Sequence, residues 1–330
     1  MIFTIGTGTD DAREAQEMSF RRRAVIGAAT AGLAAWWVWR HAHAPMVVGW
    51  SWPAGERRRA GDLSVRTLGS GGEAVILLHG LTASGNSFGG GFDPLAGGRR
   101  LAVPDLLGFG ETMDVDRSAF GLEAHLDALD AMAEHLAIEN SRWIVGGHSM
   151  GGILALHWAA RHAARVERVV TWGAPLHRDR DAALAAITEM GALERIFVLH
   201  PPLAQGVCTW MCEHRKPAGW MAVALSPDAP VPLARQAVLH TWPAYRDALE
   251  DVVLAQDWRP ALEALVGAQV PVALANGVSD PVPDHALVAE LAQNHAVVDA
   301  PVHPAAAHEL PVAYPDWCAA LLRGEHDARS

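Results

Sequence analysis

IVGGHSMGGILALHWAA, residues 144–160, is the stretch on which the fold turns. An apolar run ends at Gly146-Gly147, Ser149 follows between Gly147 and Gly151, and helix-forming residues begin at once. A G-x-S-x-G segment set between strand and helix forces its serine onto a tight turn, and the flanking glycines remove side chains that would collide there. The Ser149 hydroxyl then points out above a sheet, beside a helix N-terminus that favours developing negative charge, and the Met150 amide is placed to donate to an oxyanion. The competing reading is a structural glycine-rich turn whose serine does no chemistry. The pentapeptide alone does not separate the two, and its strand-and-helix setting favours the nucleophile.

Outward from this turn, short apolar strands alternate with helices. DLSVRTLG (62–69) alternates and reads as an opening strand or hairpin, and AVILLHG (74–80) is a continuous apolar run of the kind buried on both faces of a parallel sheet. RLAVPD (100–105) is the next strand; Leu122, Leu126, Leu129, Met132 and Leu136 then recur at helical spacing, with Ser118 as the expected N-cap. After the 144–160 unit come ERVVTWG (167–173) as a strand and then 176–263, which lack central strands and read as a helical insertion. Strand character returns at VPVALAN (270–276), followed by a helix near 284–294, a short strand AVVDA (296–300) and a last helix near 311–323. The pattern predicts a doubly wound, mostly parallel α/β sheet, with a core of 61–175 and 264–330, a helical cap of 176–263 and an N-terminal extension of 1–60.

A second element supports the nucleophile. His79-Gly80-Leu81 closes a buried strand, where a loop supplies a second oxyanion donor, expected at the Leu81 amide; His79 itself is read as shaping that loop. Taken together, His79-Gly80, PDLLGFG (104–110), GHSMGG (147–152), GVSDPVP (277–283) and AHELPVAYP (307–315) resemble the α/β-hydrolase superfamily in order and spacing over residues 61–325. None of the five identifies a substrate. The resemblance implies Asp280 as the triad acid, with Asp179 and Asp181 as fallbacks and Asp284 as a helix N-terminal carboxylate. It implies His308 as the base, with His303 as the alternative, although Ala306-Ala307-His308 stands where the family often has G-x-G-H.

A serine hydroxyl is a weak nucleophile at neutral pH and requires an adjacent base, so Ser149, His308 and Asp280 imply an acyl-enzyme route needing no metal and no organic cofactor. Serine at the elbow disfavours relatives that displace halide or open epoxides, since those use aspartate. The leading expectation is a carboxylic-ester hydrolase of esterase or monoacylglycerol-lipase type. A carbon–carbon bond hydrolase, a perhydrolase or haloperoxidase, and a proline-type aminopeptidase share the triad; a non-catalytic small-molecule-binding protein is the alternative from another class. Met190, Trp210, Met211, Trp220, Met221 and Trp242 are the residues expected to line an apolar acyl pocket, ordinary cap packing being the competing reading.

Half of the 330 residues are hydrophobic and the net charge is −11, which suits a packed domain acting on an apolar small molecule and argues against nucleic acid as a partner. Cys208, Cys212 and Cys318 show no disulfide or zinc spacing and read as inert thiols. Near the N-terminus, Arg21–Arg23 precede an uncharged run from Ala24 to Trp39, about 24 Å as helix and so shorter than a ~30 Å hydrocarbon core. Snorkelling arginines and Trp36, Trp37 and Trp39 suit a single N-terminal membrane anchor. A cleaved export signal ending at Ala42-His43-Ala44, against which Pro45 counts, and a soluble cytoplasmic helix are the alternatives.

Overall fold

A computed structural model describes residues 30–190 and 192–325, the side chains of 190, 192–194 and 196 apart. Its centre is a nine-stranded sheet: β1 (Glu56–Ala60), β2 (Leu63–Leu68), β3 (Glu73–Leu78), β4 (Arg100–Asp105), β5 (Arg142–His148), β6 (Val166–Trp172), β7 (Val272–Gly277), β8 (Val298–Asp299) and β9 (Val302–His303). The order is β1-β2-β4-β3-β5-β6-β7-β8, with β9 also on β7. The β1–β2 and β2–β4 pairs are antiparallel and the rest parallel. Val75 and Leu77 of β3 join one buried cluster with Ile144, Val170, Trp172 and Leu322, whereas Ile76 and Leu78 join the cluster on the opposite face with Val145 and Ile153. Both faces are covered, which is why these strands read as unbroken apolar runs.

The chain leaves β3 toward β4 on one side and returns to β5 on the other. Loops following β3 and β5 therefore diverge, and the crevice above the carboxyl ends of these strands is where open α/β sheets bind ligands. The helix Met150–Arg161 after β5 is buried along most of its length and packs on Trp258–Gly267, the helix that feeds β7.

Several elements differ from the sequence expectation. The opening hairpin begins at Glu56, inside the segment read as an extension, and Arg57 there donates to buried Asp105 at 3.0 Å. The helix Leu122–His135 has Gly121 at its N-cap, not Ser118. Its approach is held by the insertion instead: the Phe120 N–H donates to Asp247 Oδ2 at 3.1 Å, and a Cβ on Gly121 would meet Asp251 Oδ2 at 2.8 Å. The C-terminal helix divides into Leu310–Ala313 and Pro315–Arg323, since Pro315 has no N–H to continue the first. AVVDA contributes only the two residues of β8.

The insertion between β6 and β7 is helical, from Arg180–Met190 through the helices Pro201–Glu213 and Arg215–Leu225 to Trp242–Asp247, which runs on into a wider turn over Ala248–Val253. Residues 30–43 form a helix whose last turn is tied to the insertion: Arg40 donates to both carboxylate oxygens of Asp228, and His41 Nδ1 lies 2.9 Å from the Pro227 carbonyl. Of the run expected as an anchor, 24–29 lie outside the described residues. Among the described residues no helix is long and apolar enough to cross a membrane.

Candidate active site

Four strand ends build the site. Ser149 directly follows β5 at φ 54°, ψ −122°, a backbone region that non-glycine residues adopt only when their surroundings enforce it. The enforcement is visible in its neighbours. A Cβ on Gly147 would stand 2.1 Å from the Gly151 carbonyl oxygen, and one on Gly151 would stand 2.2 Å from that of Leu78. Only glycine fits at either position, so the G-x-S-x-G spacing follows from the closeness of the turn to its own helix and to β3.

Asp280 lies in the loop after β7 and His308 in the loop after β9. His308 Nε2 is 3.1 Å from Ser149 Oγ, and His308 Nδ1 is 3.0 Å from each Asp280 carboxylate oxygen. The carboxylate can only accept, so Nδ1 carries the proton and Nε2 is left to accept the Ser149 hydroxyl proton. Asp280 is fully buried as a side chain and also accepts the Val282 N–H at 2.9 Å. Burial alone pushes its carboxyl pKa up, but the His308 hydrogen bond and charge and the Val282 N–H bring it below the ordinary carboxylate value. For His308, burial disfavours the imidazolium; the hydrogen bond and charge of Asp280, with the charge of Glu309, outweigh it and raise the pKa.

The loop after β3 is equally close. A Cβ on Gly80 would sit 3.1 Å from Ser149 Cβ, so the β3 loop lies against the elbow. Among the described residues neither the Leu81 nor the Met150 amide has an acceptor, the latter heading its helix. His79 Nε2 accepts the Leu106 N–H at 2.8 Å while Nδ1 donates to the Gly80 carbonyl at 2.8 Å, pinning this loop to the PDLLGFG turn. Its burial drives its pKa to about 4, so it stays neutral and structural.

Three neighbours had no role in the sequence. His148 Nε2 donates to the His308 carbonyl at 2.9 Å and so fixes the backbone of the histidine loop. Gly173, at φ +58°, leaves room for Asp280 and His308: a Cβ there would stand 2.6 Å from Asp280 Oδ2 and 2.9 Å from His308 Nδ1. Glu309 lines the cavity beside His308. The sequence signals were slight, a residue inside the serine motif, a glycine ending a strand, and a carboxylate following the histidine.

The remaining candidates lie elsewhere. Asp179 accepts the Ala182 N–H as a helix start, Asp181 is exposed, and Asp284 caps His285–Asn294 by accepting the Leu287 N–H at 3.0 Å. His303 packs on Tyr314 with ring centroids 4.0 Å apart and the rings tilted by 33°. Cys208 is a buried free thiol whose pKa burial lifts to about 12.

Ser149 and His308 open onto a cavity of about 370 Å³ whose walls are mainly apolar, among them Val207, Met211, Met221, Val238 and Leu249. Of the expected cap residues, Met211 and Met221 line it. Trp210 and Trp220 face outward and Trp242 stacks on Tyr245, because their helix faces point away from the elbow; the side chain of Met190 lies outside the described residues. A recess of about 450 Å³ at the starts of β6 and β7, bordered by Arg168 and Asp299, has no nucleophile, and Arg168 is engaged by the Leu321 carbonyl. Among the described residues no group of His, Cys, Asp or Glu is arranged to hold a metal.

The sequence profile of the α/β hydrolase fold family matches residues 73–204. The 30 kDa subunit of magnesium chelatase from Rhodobacter capsulatus is 37% identical over 115 residues, 33% of this chain and 40% of that protein. A probable proline iminopeptidase of Streptomyces coelicolor is 30% identical over 191 residues, 54% of each chain. This chain thus spans about half the length, or less, of the curated relatives it matches. A solved membrane phospholipase A, described as a bacterial virulence factor, superposes over 95% of this chain and 97% of its own, with a TM-score of 0.59 at 17% identity, a likeness of fold. The sheet order, the strained serine turn and the profile match over residues 73–204 together show that this chain has the α/β-hydrolase fold.

Proposed function

We propose that the chain is a serine hydrolase of carboxylic esters with apolar acyl groups. The observation that carries the reading is the continuous Asp280–His308–Ser149 hydrogen-bond chain opening onto a mainly apolar cavity. In this reading His308 takes the Ser149 proton as Oγ attacks the ester carbonyl, and the oxyanion is met by the Leu81 and Met150 amides. His308 then protonates the leaving alcohol, and water, deprotonated by the same histidine, releases the acid. An oxyanion donor of this kind lowers the barrier by about 3 to 4 kcal/mol. Asp280 holds the imidazole tautomer and stabilises its charged form. Among the described residues no arginine or lysine lines the cavity, so a substrate carboxylate meets no such counter-charge there, which favours a neutral ester.

The test is labelling by a fluorophosphonate probe alongside turnover of p-nitrophenyl esters of graded acyl length, with amide and vinylogous diketone substrates in parallel. The expected outcome is labelling and ester turnover in the wild type and neither in Ser149→Ala. Rapid diketone cleavage with negligible ester turnover would replace the ester reading by carbon–carbon hydrolysis. A folded wild type that is neither labelled nor active points to a binding protein.

A further inference from the structure

The helix over 30–43 has no charged residue before Arg40, and all of its large apolar side chains except half-buried Trp37 are exposed. Leu33, Trp36, Val38 and Trp39 are 66%, 50%, 62% and 62% exposed, and at 3.6 residues per turn they are spread around most of the axis, leaving a sector of about 140° that holds Trp37. A second protein chain would cover one stripe of such a helix, whereas lipid surrounds it. Its C-terminal end is fixed by Arg40 and His41 to Asp228 and Pro227, immediately after Leu225 and Ser226 at the cavity wall. The helix therefore ends at the cavity rim.

That rim is itself apolar and open. Met221 and Leu225 line the cavity, yet Leu225 is 67% exposed; Leu199, Leu203 and Trp220 add further exposed apolar area on the same insertion. Residues 196–212 and 217–227 contain no Asp, Glu, Lys or Arg, in a chain of net charge −11. Uncharged surface lies against a bilayer without a desolvation cost for ions, and tryptophans suit its interface. Arg21–Arg23 precede the helix in sequence and complement anionic headgroups.

We infer that this outer face of the insertion, together with the 30–43 helix, docks on a phospholipid bilayer, and that the ester reaching Ser149 is a lipid acyl ester drawn through the Met221–Leu225 rim. The inference about substrate rests on the ester-hydrolase reading; the docking does not. The experiment uses the full chain and vesicles of phosphatidylcholine and phosphatidylglycerol. Sedimentation with vesicles is measured in a Ser149→Ala background, and turnover is measured on a soluble short-chain ester and on a long-chain monoacylglycerol embedded in vesicles. Leu203→Glu with Trp220→Ser changes only outward-facing residues.

The expected result is soluble-ester turnover within about twofold of wild type, with a loss of about tenfold or more on the embedded ester and in vesicle binding, from the apolar burial removed. Unchanged vesicle binding and embedded-ester turnover overturn the docking face, as does a wild type that fails to sediment. Loss of self-association with vesicle binding intact overturns it in favour of a second copy. Sedimentation without turnover of either ester upholds the docking and overturns the lipid-ester route together with the hydrolase reading.

Discussion

Replacing Gly173 by alanine tests the site at a residue that does none of the chemistry. Gly173 ends β6 at φ +58°, its N–H held by the Ala275 carbonyl at 2.9 Å. An added Cβ would lie 2.6 Å from Asp280 Oδ2, 2.9 Å from His308 Nδ1 and 3.1 Å from His308 Cε1. Ordinary contact requires these atoms to retreat by about 1 Å. Asp280 cannot yield freely, because it is buried and holds the Val282 N–H, so displacement passes to the Asp280–His308 pair and from there to the 3.1 Å Ser149 contact. A 1 Å misplacement of reacting groups costs about 10²-fold, or about 2.7 kcal/mol in the barrier. The left-handed backbone adds a stability cost of about 1 to 2 kcal/mol.

Gly98→Ala is the control. Gly98 has φ +76° and nothing within 4 Å of its Cβ position, so that variant carries the backbone strain without touching the triad. The assay is kcat/KM on a p-nitrophenyl ester and the rate of fluorophosphonate labelling, with circular dichroism to establish folding. Gly173→Ala should lose about 100-fold in both rates while Gly98→Ala stays near wild type. A folded Gly173→Ala protein within about threefold of wild type would falsify the assignment of Gly173 as the space holder for the pair.

Three further outcomes are expected. Although burial lowers it, the His308 pKa is raised by Asp280 and Glu309, so turnover should be lost as pH falls through a value above the ordinary histidine pKa. Glu309→Gln should move that limb to lower pH, and a pH–rate profile with an unmoved limb contradicts the role of its charge. Burial lowers His79 and His240 to about 4 and His125 to about 3, so below about pH 6.5 the unfolded chain takes up protons that the folded chain refuses. Stability present above that pH is lost as pH falls toward these values, on the order of 4 kcal/mol per pH unit near pH 5; His125→Leu should flatten the slope in urea titrations, and an identical slope refutes it. Arg66 is buried and donates to Asp93 at 2.7 Å, so Asp93→Ala strands its charge and should cost about 3 to 5 kcal/mol by urea denaturation; a loss below about 1 kcal/mol contradicts this.

What the sequence made legible and what it hid divide along a physical line. β3, β5 and β6 are buried on both faces, so each appears as an apolar run whatever packs on it, and Ser149 is marked by glycines required within its own turn. Asp280 and His308, suggested by motif order after the late strands, come within hydrogen-bond distance of each other and, through His308, of Ser149. Gly173 and His148 were not, because their roles arise from segments more than a hundred residues away in sequence, meeting only when the sheet closes. Ser118 failed as an N-cap for the same reason: Asp247, in the insertion, holds the approach to that helix. The insertion's composition announced helices and apolar content but could not say which faces turn inward. Met211 and Met221 line the cavity while Trp210 and Trp220, each one residue away, point out. One residue is a rotation of about 100° on a helix, so the distinction between a substrate wall and an exposed apolar surface rests on what each helix packs against. The same rotation that removes the two tryptophans from the pocket places them on the exterior, where Trp210 stacks on His214 and Trp220 lies under the Arg235 guanidinium.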